Sequence, residues 1–141
     1  MTKLDGKKIV VTGATGLIGS ALSQALVAKG AEVIAFMRNP ECVSYRVGSG
    51  VEGVFWDLDR PEVGEWRTKL AEADAVVHLA GTPLFSKRWT EPFKQELEAS
   101  RTHGTRGLVD AIIDGETVPR TFISASAVGI YGTDASLQAR E

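Results

Sequence analysis

Three glycines, each three positions after the one before, separate a short apolar run from a helical pattern near the start of the chain. The run Ile9–Val11 is β-branched and predicts a buried strand. Gly13 permits a tight turn out of that strand, Gly16 lets a diphosphate approach the backbone, and Gly19 lets the following helix pack closely. The free N–H groups at such a helix start face an anion, with the positive end of the helix dipole behind them. The stretch therefore predicts a dinucleotide-binding turn.

The residues around the turn support this interpretation. Apolar side chains recur at helical spacing from Leu17 to Leu26, and Lys29 and Gly30 provide a cation and a glycine where a helix would end. Glycine triplets also occur by chance in surface loops. Here a strand precedes the glycines and a helix follows them, which favours nucleotide binding over a chance cluster.

Length and composition limit the chain to one domain of ordinary globular type. It has 141 residues, of which 43% are hydrophobic and 24% charged, so residues 1–141 are predicted to form one nucleotide-binding domain. A net charge of −2 gives no reason to expect nucleic acid or a membrane surface as a partner. Cys42 is the only cysteine, which excludes an internal disulfide and a cysteine-based metal cluster, and an apolar filling role is expected for it. No metal site is predicted, and the expected location is cytoplasmic.

Four further apolar runs predict strands that alternate with helices. These runs are Glu32–Met37, Val51–Trp56, Ala75–Leu79 and one around Phe122–Ile123, and helices are predicted around Trp66–Ala73 and from about Glu91 to Asp114. Right-handed crossovers then give an α/β fold, a Rossmann-type doubly wound parallel sheet in the order 3-2-1-4-5, with helices on both faces. In the longer helix, Gly104 and Gly107 indicate a close approach to a neighbouring element.

Arg38 follows the second strand at the position that sets cofactor preference in dinucleotide-binding folds. NAD-specific folds carry an acidic residue there, about 20 residues beyond the last glycine, which bonds the ribose 2′-hydroxyl. Arg38 instead offers a 2′-phosphate a positive charge and a bidentate donor fork. The alternative is a solvated arginine at a strand end. The sequence favours NADP, with NAD as the less favoured cofactor.

Asp57 and Asp59 are two residues apart, an arrangement that invites an acid–base interpretation. No nucleophile or base accompanies them, so a turn role before Pro61 is expected for Asp59. His78 stands alone at a strand end, without a second ligand at metal spacing, and is expected to be a packing residue.

Two later segments leave alternatives open. Lys87–Trp89 could face the cleft, or the tryptophan could anchor its loop and the cations could be solvated; Thr90 is predicted to cap the next helix. Ser124 and Ser126 follow the last strand, at the edge where parallel sheets bind ligands, although serine hydroxyls also cap turns.

Together these motifs resemble the short-chain dehydrogenase/reductase superfamily, and in particular its extended, epimerase-like branch. The resemblance covers about Lys7 to Gly132 and rests on the glycine turn, Lys87–Thr90, Ser100–Arg101, Gly104–Thr105 and Ser124–Gly129. With the arguments above, it implies cofactor contacts at Gly13, Thr15, Gly16, Leu17, Ile18, Arg38, Asp57, Leu58, Leu79, Ala80, Gly81 and Ser124.

Among these implied contacts, Asp57 and Leu58 lie beside the adenine in the family. The resemblance implies for Ser126 the catalytic task of holding a substrate oxygen. Two residues depart from the family's pattern: Arg101 replaces an asparagine, and Ile130 stands where the branch usually has a tyrosine.

The resemblance implies an NADP-dependent oxidoreductase or epimerase acting on a small carbonyl or nucleotide-sugar substrate. The alternative is an NADP-binding sensor or regulatory module without catalysis. Family members carry a Tyr-x-x-x-Lys helix after the serine turn, whereas Tyr131 is followed four residues later by Ala135. The sequence therefore reads as an amino-terminal part, truncated after the fifth strand, without the catalytic helix and the substrate-binding segment. We expect this 141-residue chain to show no catalytic turnover. We also expect an exposed strand edge and an exposed apolar stripe on the longer helix, hence self-association or a homodimer.

Overall fold

Five strands and four α-helices alternate along residues 4–127, the part of the chain that this computed structural model describes. The strands are β1 (Lys8–Thr12), β2 (Glu32–Met37), β3 (Val51–Phe55), β4 (Ala75–His78) and β5 (Thr121–Ser124). The helices are α1 (Leu17–Ala28), α2 (Val43–Arg46), α3 (Trp66–Ala71) and α4 (Glu91–Ile113), and a 3₁₀ turn (Pro40–Cys42) precedes α2. β3 and β4 each end one residue earlier than predicted. The sequence features at Ile130 and Tyr131 lie outside the described residues.

The five strands form one parallel sheet in the order β3-β2-β1-β4-β5, which confirms the predicted topology. β1 is central: Ile9 lies opposite Val33 of β2 on one side and Ala75 of β4 on the other. Parallel strands with helices over both faces are buried on both sides, which explains why these runs are continuously apolar.

Alternation along the strands divides the core into two layers. Ile9 and Val11 point into one layer, whereas Val10 between them points into the other. The first layer also contains Val33, Ala35, Met37, Val51 and Val77, packed against Leu22, Leu26 and Val27 of α1 and Val43 of α2. The second contains Ile34, Phe36, Val54, Val76, Trp66 and Leu70 of α3 and Leu108 of α4. Helices therefore cover both faces, as predicted.

The end of α1 sets the entry into β2. Gly30 adopts a φ of +85°, and its N–H donates to the carbonyl of Val27 at 2.9 Å. The N–H of Ala31 donates to the carbonyl of Leu26 at 3.1 Å, which completes a Schellman motif and confirms the predicted C-terminal glycine.

α4 differs from its prediction in two respects. Its apolar stripe was expected to be exposed, and this is wrong, because Phe93, Leu97 and Leu108 are all buried. Gly104 is buried, and a Cβ there would lie 3.6 Å from the ring of His78, an ordinary van der Waals distance, whereas at Gly107 it would meet nothing within 4 Å. The prediction for Gly107 is therefore wrong.

β5 has β4 as its one neighbour among the described residues, and its Ile123 is 52% exposed. The exposed strand edge is thus as expected, and self-association stays a prediction. Within residues 4–127, no helix is long and apolar enough to cross a membrane.

Candidate functional site

A cleft of about 820 Å³ runs along the carboxyl edge of the sheet. Its walls come from the turn after β1, from the segments after β2, β3 and β4, and from one face of α4. The predicted site residues in these walls are Gly13, Thr15, Gly16, Arg38, Asp57, Leu58, Leu79, Ala80 and Gly81. The structure thus brings nine of the predicted positions together at the place where open α/β sheets bind ligands.

The glycine turn forms the floor of the cleft. Gly13 has a φ of +68°, and a Cβ there would lie 2.7 Å from the carbonyl carbon of Leu79 and 2.8 Å from the nitrogen of Ala80. Glycine is therefore required both by the backbone conformation and by the contact between the β1 and β4 ends. A Cβ at Gly19 would collide with the carbonyl of Gly13, which agrees with its predicted packing role.

Gly16 is the N-cap of α1, and no side chain of the described residues caps this helix. The N–H groups of its first turn are thus available to an anion in the cleft. The spacing and context of the glycines predicted this arrangement.

A buried polar contact joins the two strand ends beneath this floor. The Thr12 hydroxyl accepts hydrogen bonds from the backbone N–H groups of Leu79 at 3.2 Å and Ala80 at 3.1 Å, and it lies 2.7 Å from Nδ1 of His78. Because both amides can only donate, the hydroxyl proton is left for Nδ1, and we assign the His78 proton to Nε2. Burial lowers the pKa of His78, so this neutral form is favoured.

The predicted packing role of His78 agrees with this geometry. Its ring is 3% exposed and lies edge-on to Trp56, with 6.3 Å between ring centroids. The part played by Thr12 was not predicted, because the apolar run before the glycines gave no sign that its last side chain would bind three polar groups.

The segment after β2 brings two arginines to one end of the cleft. Arg38, Asn39, Cys42 and Arg46 line this end. Both guanidinium groups are exposed, and within residues 4–127 neither has a hydrogen-bond or ion-pair partner. Arg46 was not predicted, because the segment that carries it shows no regular pattern. Cys42 is half-buried in the cleft wall rather than a plain filler of the core.

Asp57 and Leu58 form the wall between this end and α4. One Asp57 oxygen accepts the N–H of Asp59 at 3.2 Å, and the other pairs with Arg60 at 3.2 Å. Asp59 therefore occupies a turn, as predicted, and the carboxylate of Asp57 is engaged in holding it. In the described part of the chain, no three His, Cys, Asp or Glu side chains gather as a metal site would require.

The loop between β4 and α4 favours the anchoring alternative for Trp89, whose indole N–H donates to the carbonyl of Leu84 at 2.8 Å. Lys87 fits neither alternative, because it does not line the cleft and its ammonium pairs with Glu96 at 2.9 Å instead of being solvated alone. Thr90 caps α4 by accepting the N–H of Phe93 at 3.4 Å, as predicted.

Four predicted site residues lie outside the cleft walls. Leu17 and Ile18 are 91% and 69% exposed on the first turn of α1. Ser124 lies opposite His78 in the β4–β5 register, and Ser126 follows two residues later; both are exposed. The roles of these four residues stay predictions.

The fold and the cleft define an α/β protein of the short-chain dehydrogenase/reductase type, with a site for a nicotinamide dinucleotide. The chain belongs to the NAD dependent epimerase/dehydratase family, whose profile matches residues 9–141.

Two relatives illustrate this membership. An epimerase family protein of Mycobacterium leprae is 39% identical over 134 residues, which cover 94% of this chain and 40% of that protein. The human epimerase family protein SDR39U1, whose crystal structure contains NADPH, is 32% identical with a TM-score of 0.68. That match covers 89% of this chain and 38% of the human one.

A third structure, a short-chain dehydrogenase/reductase superfamily protein from Agrobacterium tumefaciens with bound NAD, is 28% identical with a TM-score of 0.67. The match covers 89% of this chain and 34% of that one. The chain therefore spans about two fifths or less of the length of these relatives.

Proposed function

We propose that this chain binds NADP(H) in preference to NAD(H). We further propose that the whole protein is an oxidoreductase or epimerase acting on a small carbonyl or nucleotide-sugar substrate. The observation that carries the cofactor preference is the pair of arginines, Arg38 and Arg46, without acidic partners in the described part of the cleft.

We assign the parts of this cofactor to successive regions of the cleft. Gly13 and Gly16 contribute backbone without side chains to the cleft wall, next to the uncapped start of α1, for the diphosphate. Asp57 and Leu58 would lie beside the adenine. A 2′-phosphate carries nearly two negative charges at neutral pH, which two unpaired guanidinium groups match in sign and number.

The relatives support a nicotinamide cofactor without deciding between its two forms. NADPH is bound in the human relative and NAD in the Agrobacterium one. Arg38 supports the choice of NADP(H) for this chain, because an acidic residue at that position would repel the extra phosphate and a guanidinium attracts it.

A bound nicotinamide would supply or accept a hydride. Ser126 is the residue proposed to hold the substrate oxygen, since it follows the carboxyl end of β5. The sensor alternative needs the same cofactor cleft but no chemistry at Ser126. The predicted cytoplasmic location and self-association stay predictions.

Dissociation constants for NADPH and NADH test the cofactor preference. We expect Arg38→Ala to weaken NADPH binding by about 1.5–3 kcal/mol, the range for hydrogen bonds to charged groups, and to leave NADH nearly unchanged. Arg46→Ala is expected to act in the same direction, since the residue lines the same end of the cleft. Arg120→Ala is the control, because Arg120 is exposed, directly precedes the first residue of β5 and does not line the cleft. Equal losses for both cofactors would contradict the 2′-phosphate role.

Isotope transfer tests the activity. The gene product in its full length is mixed with labelled NADPH and a panel of carbonyl compounds, and transfer of the label is measured. Transfer that Ser126→Ala abolishes would support the enzyme. Tight NADPH binding without transfer to any compound would favour the sensor.

A further inference from the structure

Two successive residues of α4 hold the peptide groups of Thr82, a residue in the cleft wall. The N–H of Thr82 donates to the Ser100 hydroxyl at 3.0 Å, and its carbonyl accepts from Nη1 of Arg101 at 3.2 Å. β4 has ended four residues earlier, at His78. Side chains of α4 therefore satisfy the backbone of Thr82 where the sheet no longer can.

One carbonyl group fixes the orientation of both side chains. The Ser100 hydroxyl donates to the carbonyl of Leu97 at 2.9 Å, and Nη1 of Arg101 donates to the same oxygen at 3.1 Å. A hydroxyl has one proton, so Ser100 can only accept from Thr82. Nη1 has two protons, and the carbonyls of Leu97 and Thr82 take both. The arrangement thus has one hydrogen-bonding solution.

The same arginine lies against the neighbouring glycine. A Cβ at Gly81 would be 3.1 Å from the guanidinium carbon of Arg101, so the absence of a side chain lets the guanidinium lie close to the backbone. Gly81, Thr82 and Ser100 line the cleft, whereas Arg101 does not. Any effect of Arg101 on a ligand in the cleft therefore acts through the Gly81–Thr82 segment.

We propose that Ser100 and Arg101 are positioning residues that hold the Gly81–Thr82 segment in its ligand-binding conformation. This rests on the proposed function, since it assumes a nicotinamide dinucleotide in the cleft. A segment that is ordered before binding loses less conformational entropy when the ligand arrives. Because the segment lies away from Arg38 and Arg46, the effect concerns the part of the cofactor that NADPH and NADH share. The long side chain of Arg101 and its planar guanidinium group allow one nitrogen to reach two carbonyl groups at once.

Binding of both cofactors to variants of the 141-residue chain tests the proposal. Arg101→Met keeps much of the apolar stem and removes the donors. We expect it to weaken NADPH and NADH by the same factor, about tenfold, as the loss of one or two hydrogen bonds predicts. Arg101→Lys should recover part of the affinity, and Arg120→Met, at an exposed arginine before β5 that does not line the cleft, should change neither constant. A loss confined to NADPH, or no loss in Arg101→Met, would overturn the proposal.

Amide hydrogen exchange of the cofactor-free chain provides a test that does not need binding. Ser100→Ala removes the acceptor of the Thr82 N–H, so exchange at Thr82 should accelerate about tenfold or more while the amides of β1 keep their rates. Unchanged exchange at Thr82 in both Ser100→Ala and Arg101→Met would overturn the proposal. If the unmodified chain binds neither cofactor, the proposed function fails, and the exchange rates still show whether α4 holds the segment. A variant in which exchange of the β1 amides also accelerates is globally destabilised. In that case cofactor binding and Thr82 exchange in Arg101→Lys decide whether α4 holds the segment.

Discussion

Replacing Thr12 by valine should remove one buried hydroxyl and leave the shape of the strand end almost unchanged. Both side chains are β-branched and suit a strand. Thr12 is fully buried, so no water replaces the lost group. The change therefore isolates the polar contact that joins the ends of β1 and β4.

The magnitude follows from which groups lose a partner. The N–H of Leu79 keeps the Thr12 carbonyl, 3.2 Å away, as a second acceptor. The N–H of Ala80 and Nδ1 of His78 lose the bonds that the hydroxyl provides. Each buried polar group without a partner costs about 1–3 kcal/mol, and the added methyl group returns about 0.8 kcal/mol. For the two groups together, less that return, we expect Thr12→Val to lower the free energy of unfolding by about 1–5 kcal/mol.

Urea unfolding at pH 7.5, followed by circular dichroism, measures this loss. Thr12→Ser is the matched control, because it keeps the hydroxyl and loses one methyl group, for about 1 kcal/mol. Nitrogen NMR of His78 gives an independent readout: the Nε2–H form should dominate in the unmodified chain and lose its dominance in Thr12→Val. If Thr12→Val is no less stable than Thr12→Ser, the hydroxyl does not hold the strand ends together.

Two further predictions concern the same region. Gly13 and Gly6 share a φ of +68°, but a Cβ at Gly6 would meet nothing within 4 Å. Gly6→Ala should therefore cost only the backbone strain, about 1–2 kcal/mol, whereas Gly13→Ala should cost several kcal/mol more. Equal melting temperatures of the two variants would refute the steric argument. Burial holds the pKa of His78 below its ordinary 6.5, so on acidification the unfolded chain takes up a proton at a higher pH than the folded chain. The free energy of unfolding should therefore fall as the pH drops below about 6.5. Urea unfolding at pH 7.5 and 5.5 should show this fall in the unmodified chain and in the control variant His103→Gln. The fall should be smaller in His78→Gln. A fall of the same size in His78→Gln would contradict the assignment of the pH dependence to His78.

The sheet and the floor of the cleft could be predicted because their signals are local. A central parallel strand is apolar on both faces, and a turn in tight contact with a neighbouring strand end needs glycine at Gly13. Arg38 was predictable for a similar reason, since its position follows from the length of one strand–helix–strand unit.

The unpredicted contacts depend on the path of short connecting segments or on backbone groups, and the pattern of side chains encodes neither. Arg46 reaches the cleft because the 3₁₀ turn and α2 bring it to the end that Arg38 lines, and no periodicity predicts that path. Arg101 binds the backbone of Thr82, and backbone groups are identical in every sequence. For Trp89, the sequence left two alternatives equal, and the contact with the carbonyl of Leu84 depends on the loop conformation.

The central place of β1 has a consequence for the order in which the molecule forms. The β1–β2 and β2–β3 pairs join neighbouring strands in the sequence, so this part of the sheet can assemble early with α1 across its face. The contact between Thr12 and His78 spans 66 positions, and closing that longer loop costs more chain entropy. We therefore expect the half of the sheet that carries Arg38 to exist before the floor of the cleft is complete. A cofactor present during synthesis would then bind only after β4 has paired with β1. It would stabilise the folded state and lengthen its lifetime, and it would not affect the earlier folding steps.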